Sequence, residues 1–140
     1  TIDIDVDVRV PQEDFVFGIG IYHADGTCVY GTNTDLEGFA ALKISGPTRV
    51  KFVMPSLDLV AGSYRIDAAV HTRNGRAFDY RRGVIRFVVG SRVHDVGVYR
   101  PKHEWRFEGA IELKNVDLVK KNIPADIAEA IKEGAKKKGG

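Results

Sequence analysis

Few side chains in this sequence stand at spacings that support chemistry. The four histidines, His23, His71, His94 and His103, show no His-x-His or His-Glu-x-x-His spacing, so a zinc site would have to be assembled from distant strands. Cys28 is the only cysteine. It falls in a strand-like stretch without a local motif and reads as a small, buried, inert thiol, and a single cysteine excludes an internal disulfide. Asp3, Asp5 and Asp7 alternate with apolar residues, which places them on one face of a strand. Calcium loops need irregular backbone with a glycine-assisted turn, so a solvated face or a guarded edge is the reading for these three. Gly18 and Gly20 lie within a strand pattern and not ahead of a helix, so they form no phosphate loop. Neither a nucleophile beside a base nor a carboxylate pair at a glycosidase separation is signalled. The chain reads as a binding domain, not an enzyme, and calls for no metal and no cofactor.

What remains is a surface. Asn74-Gly75 is the strongest hairpin turn in the sequence. A tight two-residue turn there pairs Arg73 with Arg76, His71 with Phe78 and Ala69 with Tyr80 on one outward face. The same count turns Asp79 and Arg81 inward opposite Val70 and Ala68, which requires a bulge at Arg81-Arg82-Gly83. Phe78 and Tyr80, bordered by Asp67, His71, Arg73 and Arg82, then form an aromatic platform edged with hydrogen-bonding groups. Sugars suit such a surface: their C–H faces pack on rings while their hydroxyls need paired donors and acceptors. The competing reading gives Phe78 or Tyr80 to the core or to a protein contact.

The elements that must position these residues are strands. From Thr1 to Val10 apolar and polar residues alternate without error, the signature of a half-buried strand. Starting in mid-strand also suggests a piece of something longer. Phe15, Phe17, Ile19 and Ile21 give the second strand a core face, leaving Gly18, Gly20 and Tyr22 on the other, where missing side chains permit a bend or a close approach. Ala24-Asp25-Gly26 turns into a return strand over Thr27 to Thr32, and Thr48 to Met54 is the next. Leu59, Gly62 and Tyr64 have the spacing of a tyrosine corner in Greek-key sandwiches, so Tyr64 is structural. Ile66, Ala68 and Val70 point inward, and Arg65, Asp67, Ala69, His71 and Arg73 outward. Val84 to Val89, Val93 to Tyr99 and a stretch through His103, Trp105 and Phe107 bring the total to about eight short strands, consistent with an all-β antiparallel sandwich. Asn122-Ile123-Pro124 reads as a helix start, with Ile127, Ala130 and Ile131 as its apolar stripe.

Composition narrows the function classes. A length of 140 residues fits one domain, and the 44% hydrophobic and 29% charged content is that of a globular protein. The net charge of +2 arises partly from Lys136, Lys137 and Lys138 at the extreme end and not from a basic stripe on the folded body, so no nucleic-acid partner is implied. No apolar run approaches the roughly 18 residues of a membrane helix. Single-cysteine usage suits a reducing, cytoplasmic setting.

Several segments together carry a resemblance: Phe17-Gly18-Ile19, Asp25-Gly26, Val29-Tyr30-Gly31-Thr32-Asn33-Thr34, Leu59 to Tyr64 with Gly62, Asp79, and Phe87-Val88-Val89. In this order over residues 1–107, they resemble the C-terminal carbohydrate-binding domain of the ATP-binding subunit of O-antigen ABC exporters, the Wzt C-terminal domain. The resemblance implies an immunoglobulin-like sandwich over 1–107 and a C-terminal extension over 108–140, strand plus helix or partly disordered. It also implies recognition of lipid-linked polysaccharide in the cytoplasm, at the inner membrane, before export. The implied partners are the polysaccharide, a second copy in a homodimer, and the transporter permease through the parent protein, which carries ATP hydrolysis elsewhere. Asn33 and Thr34 belong to the motif, but their types suit side-chain to backbone bonds that hold the loop after the hairpin. No family segment matches Ile123 to Gly140.

Overall fold

A computed structural model describes residues 1–118, 129 and 132–134. The chain divides into two compact units, Thr1–Lys102 and His103–Gly140. The first carries six strands, β1 (Ile2–Val6), β2 (Val16–His23), β3 (Cys28–Asn33), β4 (Thr48–Phe52), β5 (Gly62–His71) and β6 (Ala77–Val89). They form a two-stranded sheet, β1-β4, and a four-stranded sheet in the order β3-β2-β5-β6, with every pairing antiparallel.

Period-two alternation makes each sheet apolar on one face, and burying those faces together stabilises the sandwich by about 1.5–3 kcal/mol per fully covered large aliphatic side chain. Ile2 from the small sheet meets Ile19, Ile21, Tyr64 and Ile66 from the large one, with Ile4, Phe52, Phe87 and Val89 packed around them. β1 is shorter than the alternation predicts. It pairs with β4 from Ile2↔Phe52 to Val6↔Thr48, and ahead of Thr48 the partner chain is Pro47, which has no N–H to continue the ladder. On the outer face of this pair the aspartates are cross-strand partners of cations. Arg49 grips Asp5 through two bonds of 2.6 and 2.8 Å, and Lys51 Nζ stands 3.5 Å from Asp3. The hydrogen bond from Arg49 holds the exposed Asp5 carboxyl below its ordinary pKa.

Three expectations about strands are corrected. Ala77 and Val89 lie on one continuous, bulged strand, and among the described residues no strand follows it. Around Tyr99 the chain instead makes an isolated bridge to Leu59, flanked by Val60 N–H to Val98 O (3.1 Å) and Arg100 N–H to Asp58 O (2.8 Å). Gly97, at a φ of +95°, and Pro101 bracket this short contact and prevent a ladder from extending. In the second unit the segment through Trp105 and Phe107 is not a strand, and both side chains are exposed. Leu118, Glu129 and Lys132–Gly134 are helical. The helix start at Asn122-Ile123-Pro124, the apolar stripe and the lysine run lie outside the described residues.

The tyrosine corner forms as the spacing predicts. Tyr64 O–H donates to Val60 O at 2.8 Å, and its ring stacks on Phe87 at 5.5 Å and meets His23 edge-on at 5.2 Å. Gly62 makes room: a Cβ there would stand 3.1 Å from His23 Nε2. Tyr64→Phe preserves the ring packing but leaves a buried carbonyl without its donor, so a loss of about 1–2 kcal/mol in urea unfolding is expected. A change below a few tenths of a kcal/mol would show that water replaces the hydroxyl.

Candidate functional site

The β5–β6 hairpin closes differently from the expected tight turn. Thr72 N–H donates to Arg76 O at 2.8 Å and Gly75 N–H to Thr72 O at 2.9 Å, with Gly75 at a φ of +91°. Arg73-Asn74-Gly75 is therefore a three-residue loop ending in a left-handed glycine. Thr72 holds it through its hydroxyl, which donates to Asn74 Oδ1 at 2.5 Å and accepts from Arg76 N–H at 3.0 Å. Arg73 does not pair with Arg76, and His71 faces Ala77, not Phe78. A register shift between His71 and Val70 makes Phe78 the extra residue, and the pairing that follows, Val70↔Asp79 and Ala69↔Tyr80, is the expected one. Asp79 and Arg81 do stand opposite Val70 and Ala68, but both are exposed and bond to each other at 2.9 Å.

A second bulge lies where the sequence calls for one. Pairing passes from Ala68↔Arg81 to Ile66↔Ile85, so Asp67 alone faces Arg82, Gly83 and Val84. Gly83 takes a φ of +62°, and its N–H points back to Asp67 Oδ1 at 2.7 Å. Tyr80 O–H donates to Asp67 Oδ2 at 3.0 Å, and Arg65 Nε–H reaches Oδ1 at 3.2 Å. Asp67 is only 3% exposed. Expected to meet ligand hydroxyls, it is instead closed off by three donors and serves as the post to which Tyr80 and the bulge are tied. Burial pushes its pKa up, but the Gly83, Tyr80 and Arg65 donors outweigh that and leave it below the ordinary carboxylate value.

Beside this post runs a shallow groove of about 260 Å³, lined by Gly18, Gly20 and Gly31 on β2 and β3 and by Tyr22, Asn33, Leu36, Asp67, His71 and Tyr80. Gly18 and Gly31 supply a floor of bare backbone. A Cβ at Gly18 would meet nothing closer than 3.5 Å, so this position is open. At Gly20 the ring of Tyr22 folds over the backbone, 2.8 Å from where a Cβ would be, and the Arg65 guanidinium carbon lies over that ring, 4.3 Å from its centroid. His71 Nδ1 lies 2.7 Å from Thr72 O. A carbonyl only accepts, so Nδ1 carries the proton, and Nε2, 3.7 Å from the Gly18 Cβ position, is left as an acceptor at the groove.

Of the residues singled out from sequence, Asp67, His71 and Tyr80 come together here. Phe78 and Arg82 are exposed on β6 outside the lining. Arg73 is drawn away: its guanidinium pairs with Asp35 at 3.0 Å and its N–H with Asp14 Oδ1 at 2.8 Å. Tyr22, Asn33 and Gly31 were missed. Gly18 and Gly20 were placed on the right face, but only the non-local pairings Gly18↔Ala69 and Gly20↔Asp67 set them beside the hairpin residues. Asn33 and Thr34 hold backbone as expected, through Leu36 N–H to Asn33 Oδ1 (2.8 Å) and Phe17 N–H to Thr34 Oγ1 (3.1 Å). Cys28, read as buried, is exposed, because it opens β3 on the sheet edge opposite the bulge at Tyr22. A larger cavity of about 490 Å³ opens between the sheets, lined chiefly by Phe15, Phe17, Phe39, Val50 and Phe52. Its apolar walls suit core packing better than a hydroxyl-rich ligand.

Because the folded Asp67 carboxyl is depressed, its contribution to stability is full above the unfolded value near 3.8 and is lost as pH falls through the lower folded value. In an NMR acid titration the Gly83 amide resonance should move with a midpoint below 3.8. A midpoint at or above it would mean that the three donors do not hold the carboxylate.

Comparison with known proteins bears on the family and the fold. The family described as the Wzt C-terminal domain matches residues 1–101. The "O-antigen export system ATP-binding protein RfbB" of Myxococcus xanthus is 30% identical over 104 residues, covering 74% of this chain and 23% of that protein. The chain thus spans about a quarter of the length of that curated relative. A solved structure described as the "Crystal structure of the C-terminal domain of wzt" superposes with a TM-score of 0.66 at 26% identity, over 76% of this chain and 68% of the other. A family match across the strand-bearing unit, together with the same relationship in three dimensions, establishes that the chain belongs to the Wzt C-terminal domain family.

Proposed function

We propose that this domain is a non-catalytic module that recognises lipid-linked, O-antigen-type polysaccharide for translocation by an ABC exporter. The observation that carries this reading is the glycine-floored groove on the outer face of the large sheet. A pyranose ring offers a C–H face to Tyr80, and its hydroxyls meet the His71 Nε2 acceptor, the Asn33 side chain and the bare backbone of Gly18. The relative of which this chain matches one segment is named as an ATP-binding protein of O-antigen export. On this reading ATP hydrolysis belongs to another part of the parent protein, and the domain works in the cytoplasm, peripheral to the inner membrane, with the permease as partner. A groove this shallow binds weakly, and a homodimer of the parent protein raises the effective affinity by presenting two.

A second reading, a dimerisation or docking domain without glycan contact, is favoured by one observation: Phe78, Val84 and Val88 are exposed along the edge strand β6. Exposed apolar groups on a sheet edge mark partner sites as well as ligand sites.

Titration of the polysaccharide exported by the same system into the domain separates the two. Gly18→Val fills the groove floor in extended strand backbone, so it should unfold within about 1 kcal/mol of the parent yet weaken binding at least about tenfold, equivalent to roughly 1.4 kcal/mol. Tyr80→Ala should weaken it further. Unchanged affinity in both variants would remove the groove as the site. In sedimentation, Phe78→Ser should leave the oligomeric state as it is if the face serves glycan, whereas dissociation without a change in glycan affinity supports docking.

A further inference from the structure

We infer that the outer face of the β6 bulge is an anion subsite, in which Arg65 and Arg86, with Arg82 next to Gly83 along the strand, receive a carboxylate or phosphate carried by the glycan in the groove. This rests on the glycan reading above and adds the chemical class of the ligand.

The bulge creates the site. With Gly83 in a left-handed conformation and lacking a side chain, two cationic side chains close over the same point: Arg86 NH2 comes within 3.4 Å, and Arg65 Cδ within 3.7 Å, of where a Gly83 Cβ would stand. Any Cβ there would also be strained by the backbone, so the opening is kept by the glycine itself. Arg65 is preorganised, its guanidinium stacked on Tyr22 and anchored by Nε–H to Asp67. That anchor uses one of the five guanidinium donors, and the terminal nitrogens form a fork suited to carboxylate or phosphate. Arg82 and Arg86 pair with no acid among the described residues, and both are exposed.

The local charge is unbalanced. Of these three arginines only Arg65 reaches a carboxylate, Asp67, which is buried and also engaged by Tyr80 and Gly83. The nearest acid on the strand, Asp79, pairs with Arg81. The subsite adjoins the groove, because Tyr22, Asp67 and Tyr80 line the groove and also contact Arg65 or its anchor. A saccharide lying on Tyr80 therefore brings a substituent of the same or the next residue to the arginine fork. A neutral glycan would leave that fork solvated and unused.

The test uses the 140-residue chain, with arginine side-chain NMR and calorimetry, and four probes: inorganic phosphate, oligogalacturonate, a phosphorylated mannan oligosaccharide and its unphosphorylated counterpart. Phosphate should move the Arg65 and Arg86 Nε–H resonances. At least one acidic oligosaccharide should bind about tenfold more tightly than the neutral one, as charge-assisted bonds allow. That advantage should shrink with added salt and vanish in the double variant Arg82→Gln/Arg86→Gln, its fold checked by the unchanged Tyr64 and Gly75 signals. Tyr80→Ala should weaken acidic and neutral ligands alike. The two acidic probes distinguish carboxylate from phosphate. Equal binding of acidic and neutral sugars, persistence of the preference in the double variant, or no response of Arg65 and Arg86 to phosphate would overturn the subsite while leaving the groove reading intact. Tighter binding to phosphatidylglycerol vesicles than to any acidic sugar would overturn it in favour of a membrane contact. Phosphate binding at these arginines that the double variant abolishes, with no sugar bound, would uphold the anion site and sink the groove reading instead.

Discussion

The buried carboxylate of Asp67 organises the outer face of the large sheet. It sits on β5 opposite three residues of β6, where an unbroken ladder would have one, and gathers the bulge amide, a tyrosine hydroxyl and a guanidinium onto two oxygens. A carboxylate this enclosed is tolerated only because each interaction favours its charged form. In return its geometry is imposed on its neighbours: Tyr80 is held beside the groove, Gly83 is fixed in its left-handed turn, and Arg65 is pinned so that its plane covers Tyr22. Removing the carboxylate would loosen all three at once, which is why we assign it to the framework of the site and not to ligand contact.

Against that framework the glycines of β2 and β3 do the complementary work. Side chains on a pleated sheet normally stand some ångströms above the backbone, and a ligand would rest on their tips. Gly18 and Gly31 on neighbouring strands lower the floor to the peptide planes, while Tyr22, folded over Gly20, and Tyr80 supply walls. The result is an open strip of backbone bounded by two aromatic rings. The strands that carry this strip lie within the segment that matches the Wzt C-terminal domain family.

The two sheets differ in how they manage charge and edges. On the small sheet, acids and bases face each other across strands and cancel, leaving a surface without an evident partner. On the large sheet the long edge strand β6 carries arginines and two irregularities, devices that discourage indiscriminate strand pairing. The same irregularities aim side chains that a regular strand would have turned elsewhere, so edge protection and site construction share one segment.

Sequence by itself determined the local terms: the alternation that makes β1, β2 and β5 one-sided strands, the tyrosine corner from Leu59, Gly62 and Tyr64, the hairpin at Asn74-Gly75, and the need for a bulge near Gly83. Each depends on neighbours along the chain, where period and turn chemistry act directly. The family was legible for the same reason, because ordered short motifs survive in sequence. The hairpin's loop length was not, since Thr72 adds hydrogen bonds that favour a three-residue closure, and a compensating bulge at Phe78 then restores the counted Ala69↔Tyr80 pairing. Tertiary structure alone decided the site. Which side chains share a groove depends on β2 lying beside β5 and on what closes over Asp67, and these contacts join residues some fifty positions apart, beyond the reach of any local pattern. Alternation could say that Asp67 faces away from the core; only the bulge and its donors decided that facing away from the core does not mean facing water.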